Sequence, residues 1–365
     1  MSSLYIYGAK ALALGICHAV KRLYPEHPVR GFLVKSLRDN PSVLAGLPVY
    51  GLGSAEDKNV HVLIGTPEDL HGEIAADLER HGFYSYTCVD SVKEAELMGR
   101  YYAAIGKFPS VHRLSGGVPE AGLKVYMVRS RKDRPLQREY RRPEWVTPIL
   151  AGAALAGEPA GSNADVCEPG MVRDDTGDHI SGKNGNYCEL TALYWIWKNI
   201  LCKAIPAKGP EDYYGLFHYR RILDIGDDDS GRLTANDIDV VLSYPTIHEP
   251  DISEHHSRYM NEADWQAMLR ALAELHPAYA RAFPRILAQP YLYNYNMLVA
   301  KRSVLADYCG WLFPVLERTG ELSVPRGEER SDRYIGYLGE NLMTLYFLYH
   351  RNDLHIAHAG RNMLL

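Results

Sequence analysis

Cysteine is scarce and follows no pairing pattern. The six residues Cys17, Cys88, Cys167, Cys188, Cys202 and Cys309 include no C-x-x-C spacing. Scattered single thiols exclude a disulfide framework and a zinc ribbon, and they point to a reducing compartment. Long apolar runs are also missing: none approaches the ~18 residues that cross a bilayer. The opening MSSLYIYGAK places no basic segment before an apolar one, so it does not read as a signal peptide. Nor is there a basic excess. With 40 Lys and Arg against 45 Asp and Glu, the net charge is −5, which removes the sequence-wide field that nucleic acid needs. The expectation is a soluble cytoplasmic protein with no nucleic-acid partner, peripheral contact with the inner membrane surface remaining open.

At 365 residues the chain is long enough for two α/β domains with ordinary cores. In the first, residues 1–112, apolar strands at Leu4–Tyr7, Gly31–Val34, Val60–Ile64 and Tyr84–Val89 alternate with helical stretches. That alternation predicts a parallel sheet of Rossmann-like type with right-handed crossovers. The dinucleotide fingerprint is incomplete, however. Gly8 directly follows the first strand, but Gly8-Ala-Lys-Ala-Leu-Ala lacks the second and third glycines that let a pyrophosphate approach the backbone. Residues 113–122 contain Ser115-Gly-Gly-Val-Pro-Glu-Ala-Gly, rich in turn formers, and are assigned as the linker to a second domain, 123–365. Few contacts are expected across that linker, so the first domain is expected to be separable. Leu123–Val128 reads as the first strand of the second domain, and Glu158–Pro169 as a loop.

The chain is organised around Met171–Asn199. A polar run with Arg173, Asp174, Asp175, Lys183 and Asn184 leads into a segment where Leu190, Leu193, Trp197 and Ile200 recur at helical spacing. Asn186 is the expected N-cap, with Glu189 reaching back as in a capping box. A polar loop delivered to a helix start suits an anionic ligand. An ordinary surface loop before a core helix explains the same spacing.

Further on, Tyr213–Tyr219 reads as a buried strand with Tyr214, Leu216 and His218 on one side and Phe217 and Tyr219 on the other. It leads into Arg220 and Arg221 at the carboxyl end, where ligands of open α/β sheets gather. Paired guanidinium groups can neutralise a diphosphate without metal. They can equally pair with the acidic loop that follows. Asp227-Asp-Asp229 and Asp237-Ile-Asp239 formally contain D-x-D, but the first reads as a solvated turn and the second opens a strand. Tyr291–Ala300 reads as a strand that places Asn294 and Asn296 on one face, a pair suited to sugar hydroxyls or to neighbouring backbone. Glu262–Arg281 reads as one amphipathic helix, and His255-His256 alone make a poor metal argument. The helix Ser331–Tyr349 is apolar on both sides, so Glu340 within it must be paired or functional.

RDDTGD, IS, KN, NYCELT and YWIWKN, followed by GLFHYRR at Gly215–Arg221 and YNM at Tyr295–Met297, resemble a bacterial family catalogued as a domain of unknown function. That family is associated with capsular and surface-polysaccharide glycosyltransferases of GT-A type. The resemblance spans roughly residues 123–360. It implies a GT-A-like second domain that moves a sugar from a nucleotide-sugar donor to a glycan or lipid-linked glycan acceptor. His-Tyr-Arg-Arg stands where such enzymes carry Asp-x-Asp. No metal is then required, although Mg or Mn remains an option, with Asp174 and Asp175 as the better ligands. The implied donor and substrate residues are Arg173, Asp174, Asp175, Lys183, Asn184, Tyr187, Glu189, Tyr219, Arg221, Asn294 and Asn296. The implied catalytic residues are Glu340, His218 and Arg220. IYG, GF and Gly46-Leu-Pro-Val in the first domain are similar to the nucleotide-sugar-binding domain of bacterial sugar acyltransferases. Two rivals stand beside this reading. One is an NAD-dependent or other nucleotide-sugar-modifying enzyme, which the incomplete glycine fingerprint and the missing Tyr-x-x-x-Lys pair disfavour. The other is a non-catalytic glycan- or nucleotide-binding assembly protein.

Overall fold

A computed structural model of the chain describes residues 3–134, 136, 140–155, 170–203, 211–325 and 330–364. The expected loop Glu158–Pro169 lies outside these residues. The N-terminal part contains β1 (Leu4–Tyr7), α1 (Ala11–Leu23), β2 (Val29–Val34), β3 (Val43–Leu44), β4 (Leu47–Gly51), β5 (His61–Ile64), α2 (His71–Arg80), β6 (Tyr86–Cys88) and α3 (Ser91–Ala104). Its sheet runs β3-β4-β2-β1-β5-β6. All neighbours are parallel except the β3–β4 pair. The chain steps outward from β1 through β2 to β4, then returns to the other flank of β1 with β5 and β6. Strand direction of travel thus reverses between β1 and β5. Alternation sends Ile6 and Phe32 to the face covered by α1 and α3, and Tyr5, Tyr7 and Leu33 to the face covered by α2. The Asp90 carboxylate caps α3 by accepting from Lys93 N at 2.9 Å.

The C-terminal part adds β7 (Leu123–Arg129), β8 (Val146–Leu150), β9 (Val172–Arg173), α4 (Asn184–Tyr187), α5 (Leu190–Ile196), β10 (Tyr213–His218), β11 (Arg221–Leu223), α6 (Asp229–Ala235) and β12 (Val240–Ser243). It continues with β13 (Thr246–Ile247), α7 (Ser253–Tyr259), α8 (Glu262–Leu275), α9 (Pro277–Leu287), β14 (Tyr291–Leu292), β15 (Leu298–Lys301), α10 (Arg302–Leu322), α11 (Tyr334–Tyr349), β16 (Ile356–Ala359) and β17 (Arg361–Met363). The main path of its sheet is β16-β12-β15-β10-β7-β8-β9, with β11 and β17 paired off the end of β10. Strand β15 is antiparallel to both neighbours, and the other pairs along that path are parallel. Tyr214 and Leu216 face a layer built from α5, α8, α9, α10 and α11, whereas Tyr213 and Phe217 face α6 and the opposite core. The result is the mixed, parallel-rich α/β architecture expected of the chain.

Three expectations change. Glu262–Arg281 is not one helix: α8 ends at Leu275, and Pro277 starts α9. His276 precedes the proline and takes φ −137°, ψ 67°, because a residue before Pro is pushed out of the helical region. The helical stripe after Leu190 does not run on regularly either, since Trp197–Leu201 forms a π-helical turn. Finally, many contacts cross between the two parts. Tyr244 and Ile247 belong to the same core as Leu14, Val20 and Tyr102. The Tyr102 hydroxyl donates to Pro245 O at 2.8 Å, and Arg361 meets Glu94 at 3.2 Å with side chains only 13 and 19 % exposed. The linker is itself pinned to α6, where Ser115 and Asn236 bond each other reciprocally. These contacts argue against the separability expected from the glycine-rich linker.

Candidate active site

Eight non-glycine residues among those described have positive φ, and four of them meet at one place: Cys188 (φ 51°), Tyr295 (φ 70°), Asn296 (φ 49°) and Arg333 (φ 67°). Each such conformation costs of the order of 1–3 kcal/mol and persists only where the surroundings impose it, which is why such residues gather at functional sites. Cys188 breaks the chain between α4 and α5, and Arg333 stands immediately before α11. Arg333 Nε donates to Cys188 Sγ at 3.3 Å. Burial pushes the Cys188 thiol up to about 11, so at neutral pH it is a thiol and a poor nucleophile. Helix α11 approaches closely because it carries Gly336 and Gly339. A Cβ on Gly336 would lie 3.3 Å from Cys188 Sγ, and one on Gly339 would lie 2.8 Å from Leu190 Cδ1.

The centre of the arrangement is the segment Tyr293–Met297. It is a turn and not part of a strand: pairing stops at Leu292 and resumes at Leu298. Asn294 and Asn296 therefore do not project from one strand face. Asn296, buried, donates its amide to Glu189 Oε1 at 2.7 Å and to Gly336 O at 3.1 Å. Asn294 Oδ1 accepts from Arg361 at 2.8 Å. The Tyr295 backbone is gripped from both sides, its N–H by Glu340 Oε1 at 3.0 Å and its carbonyl by His218 Nε2 at 2.7 Å. Its ring carries the guanidinium groups of Arg221 and Arg361 at 4.8 and 4.9 Å. Thus His218, Glu189 and Glu340 converge on a five-residue turn that itself carries Asn294 and Asn296.

The two carboxylates at the turn differ. Glu340 has both oxygens engaged, Oε1 by Tyr295 N–H and Oε2 by His255 Nε2 at 3.2 Å. Its partner is a histidine, not the arginine that a buried carboxylate first suggests. Glu189 is only half-buried, and its printed hydrogen bond uses Oε1 alone. Among the described residues no protein donor holds Glu189 Oε2.

The sequence model of the family described as a domain of unknown function, DUF4422, matches residues 134–352. The chain belongs to the DUF4422 family. A solved structure of WbbM, a bifunctional glycosyltransferase in its apo form, is similar to this chain at 25 % identity and a TM-score of 0.52. The similarity covers 67 % of this chain and 45 % of that one, so the chain spans less than half of WbbM. No curated protein matches. The Tyr293–Met297 turn, Glu189, His218 and Glu340 all lie inside the DUF4422 match.

Other residues expected at the site take different posts in this DUF4422 chain. Asp174 is fully buried and spent on the fold. Its carboxylate accepts from Gly152 N at 2.9 Å, Ala153 N at 3.0 Å and the Ser181 hydroxyl at 2.5 Å, which takes up most of its acceptor sites. Asp175 faces Arg173, whose guanidinium holds its carboxyl below the usual range. Asn184 ties Cys188 O and Thr191 Oγ1 at 2.7 and 3.1 Å, so it serves the α4–α5 break that Asn186 was expected to cap. Tyr187 is core, and Lys183 stands half-buried before α4. Tyr219 lies beneath Arg129 and Arg220 at 5.7 and 5.9 Å. Arg220 reaches toward Asp69 of the N-terminal part at 3.8 Å, not toward the acidic loop that follows it. Both D-x-D stretches are engaged by other side chains: Trp145 donates to Asp227, Asp229 pairs with Arg232, and Asp237 and Asp239 share Lys301. Among the described residues no group of three His, Cys, Asp or Glu side chains converges as a metal site, and no helix is long and apolar enough to cross a membrane. His255, Arg333 and the Gly336/Gly339 pair were not anticipated. Two small residues three apart on an otherwise bulky helix are the signal that marks the close approach.

Proposed function

We propose that the chain is a glycosyltransferase that moves a sugar from a nucleotide-sugar donor to a glycan or lipid-linked precursor of a capsule or surface polysaccharide. The likeness to WbbM carries this reading, and the geometry supplies the residues. In the proposed reaction an acceptor hydroxyl attacks the anomeric carbon and the bond to the diphosphate oxygen breaks. The charge that develops on the leaving diphosphate is met by Arg220, with His218 at the carboxyl end of β10. Guanidinium groups there take the place of a divalent metal.

For the proton we assign Glu189 in place of Glu340. A general base needs a free lone pair facing the substrate. Glu189 retains one oxygen for that purpose while Asn296 fixes the other. Glu340 anchors the turn on which Asn296 rides. We place the reaction in the cytoplasm, at or near the inner membrane surface. Incubation of the full chain with a panel of nucleotide sugars, read as release of nucleoside diphosphate, tests the reading. Slow donor hydrolysis is the expected result. No release from any donor, with nucleotide binding retained, would leave a binding protein instead.

A further inference from the structure

The carboxyl ends of the two sheets confront each other. Thr66, Glu68 and Ser91 lie beyond β5 and β6, beside the point where strand travel reverses at β1, the place where open α/β sheets receive ligands. Across from them stand Arg221, Tyr295 and Asn362 at the end of β10 and its hairpin. Between the parts is a half-open cleft lined by Thr66, Glu68, Ser91, Arg221, Tyr295 and Asn362.

The charges in the cleft sort into committed and uncommitted ones. Arg361 is committed to Glu94 at 3.2 Å and Asn294 at 2.8 Å, and Arg220 leans on Asp69 at the rim. Arg221 faces no carboxylate among the described residues and rests on the Tyr295 ring. Glu68 Oε2 and Thr66 Oγ1 are buried polar atoms with no hydrogen-bond partner among the described residues. Buried polar atoms are normally paired, so such groups call for an explanation. A bare phosphate would suit Arg221 but would meet Glu68 and Glu94. A neutral polyol suits the whole set: its hydroxyls donate to the carboxylate and accept from the guanidinium.

We propose that this cleft is the acceptor-sugar subsite, where Glu68 and Thr66 of the N-terminal part and Arg221 of the C-terminal part hold a neutral, hydroxyl-rich sugar. The proposal rests on the glycosyltransferase reading for the word acceptor, not for the binding itself. Tyr295 places its ring in the cleft while Glu340 holds its backbone, and the adjoining Asn296 leads on to Glu189, the proposed base. The N-terminal part is then half of acceptor recognition.

The test uses the full chain and saturation-transfer NMR with methyl galactopyranoside, methyl glucopyranoside and N-acetylglucosamine, each in turn, and inorganic phosphate as competitor. At least one sugar is expected to bind. Glu68→Gln should weaken that binding at least tenfold and Thr66→Val severalfold, while the affinity for UDP stays within twofold of wild type. Retained UDP affinity shows that the variants fold. Binding of none of the three sugars, or sugar binding unchanged in both variants, overturns the proposal. Displacement of the sugar by phosphate overturns it too, because the cleft would then be an anion site. Absence of donor hydrolysis with sugar binding still dependent on Glu68 would sink the transferase reading alone.

Discussion

Asn296 donates to Glu189 at 2.7 Å across 107 residues of chain, and this bond aims the carboxylate proposed as the base. Glu189→Gln keeps the shape and the contact to Asn296 while removing the proton acceptor. Transfer should fall by ~10²-fold or more, the usual worth of a positioned base, with donor affinity nearly unchanged. Steady-state turnover and calorimetric titration with a nucleoside diphosphate decide the matter. Turnover within a fewfold of wild type would remove Glu189 from the chemistry.

Glu340→Gln is expected to behave in the opposite way. Removing the anion weakens the grip on Tyr295 N–H and on His255, a loss of about 1–3 kcal/mol for buried hydrogen bonds of this kind. Denaturant midpoints should drop, while turnover per folded molecule falls far less than in Glu189→Gln. An intact midpoint with transfer abolished would return the base to Glu340.

Arg220→Lys retains charge but loses the planar fork. If Arg220 holds the diphosphate, UDP affinity should fall by ~1–3 kcal/mol, and EDTA should leave wild-type affinity unaltered. Abolition of binding by EDTA would reinstate a metal.

The junction between the two parts should sense pH. His358 is buried in it, against Tyr293 and Phe108, and burial pushes its ring down to about 3 from 6.5. The folded state keeps the ring neutral, whereas the unfolded chain protonates as pH falls through 6.5. The stability held above pH 6.5 is therefore lost progressively as pH falls toward 3. Between pH 6.5 and 5 the loss is about 1.6 kcal/mol. Urea midpoints at pH 7 and pH 5 should show this drop in wild type and a smaller one in His358→Gln. Equal drops would mean that other groups govern the acid limb.

A fragment starting at Leu123 should aggregate. It would expose Tyr244, Ile247 and Tyr291 and strip Glu94 from Arg361, leaving a guanidinium with its acidic partner gone. Light scattering on the purified fragment tests this. A monomeric, cooperative fragment would restore the linker as a true boundary.

Most of the sheet architecture was legible because buried strands and amphipathic helices carry their period in apolar residues. The Tyr293–Met297 turn was not. YLYNYNMLVA alternates like a strand, and nothing in Tyr295 or Asn296 announces positive φ, since no glycine stands there. The same holds for Cys188, where the capping pattern suggested a helix start three residues past the observed start of α4. Asp174 was misplaced for a different reason. A carboxylate bound by backbone amides looks, in sequence, the same as one waiting for a cation. His255 was set aside as half of a weak metal pair, yet the two histidines separate: His255 meets Glu340, and His256 stacks on Trp265 at 4.2 Å.

The grip on Tyr295 bears on how relatives of this protein can be recombined. Its ring lies in one recognition surface and its peptide in another, so the halves of the molecule are not interchangeable cassettes. A chimera carrying a foreign N-terminal part should inherit new acceptor preference only if Tyr293–Met297 travels with it. Without that turn, the graft would present a cleft whose floor still answers to the old partner.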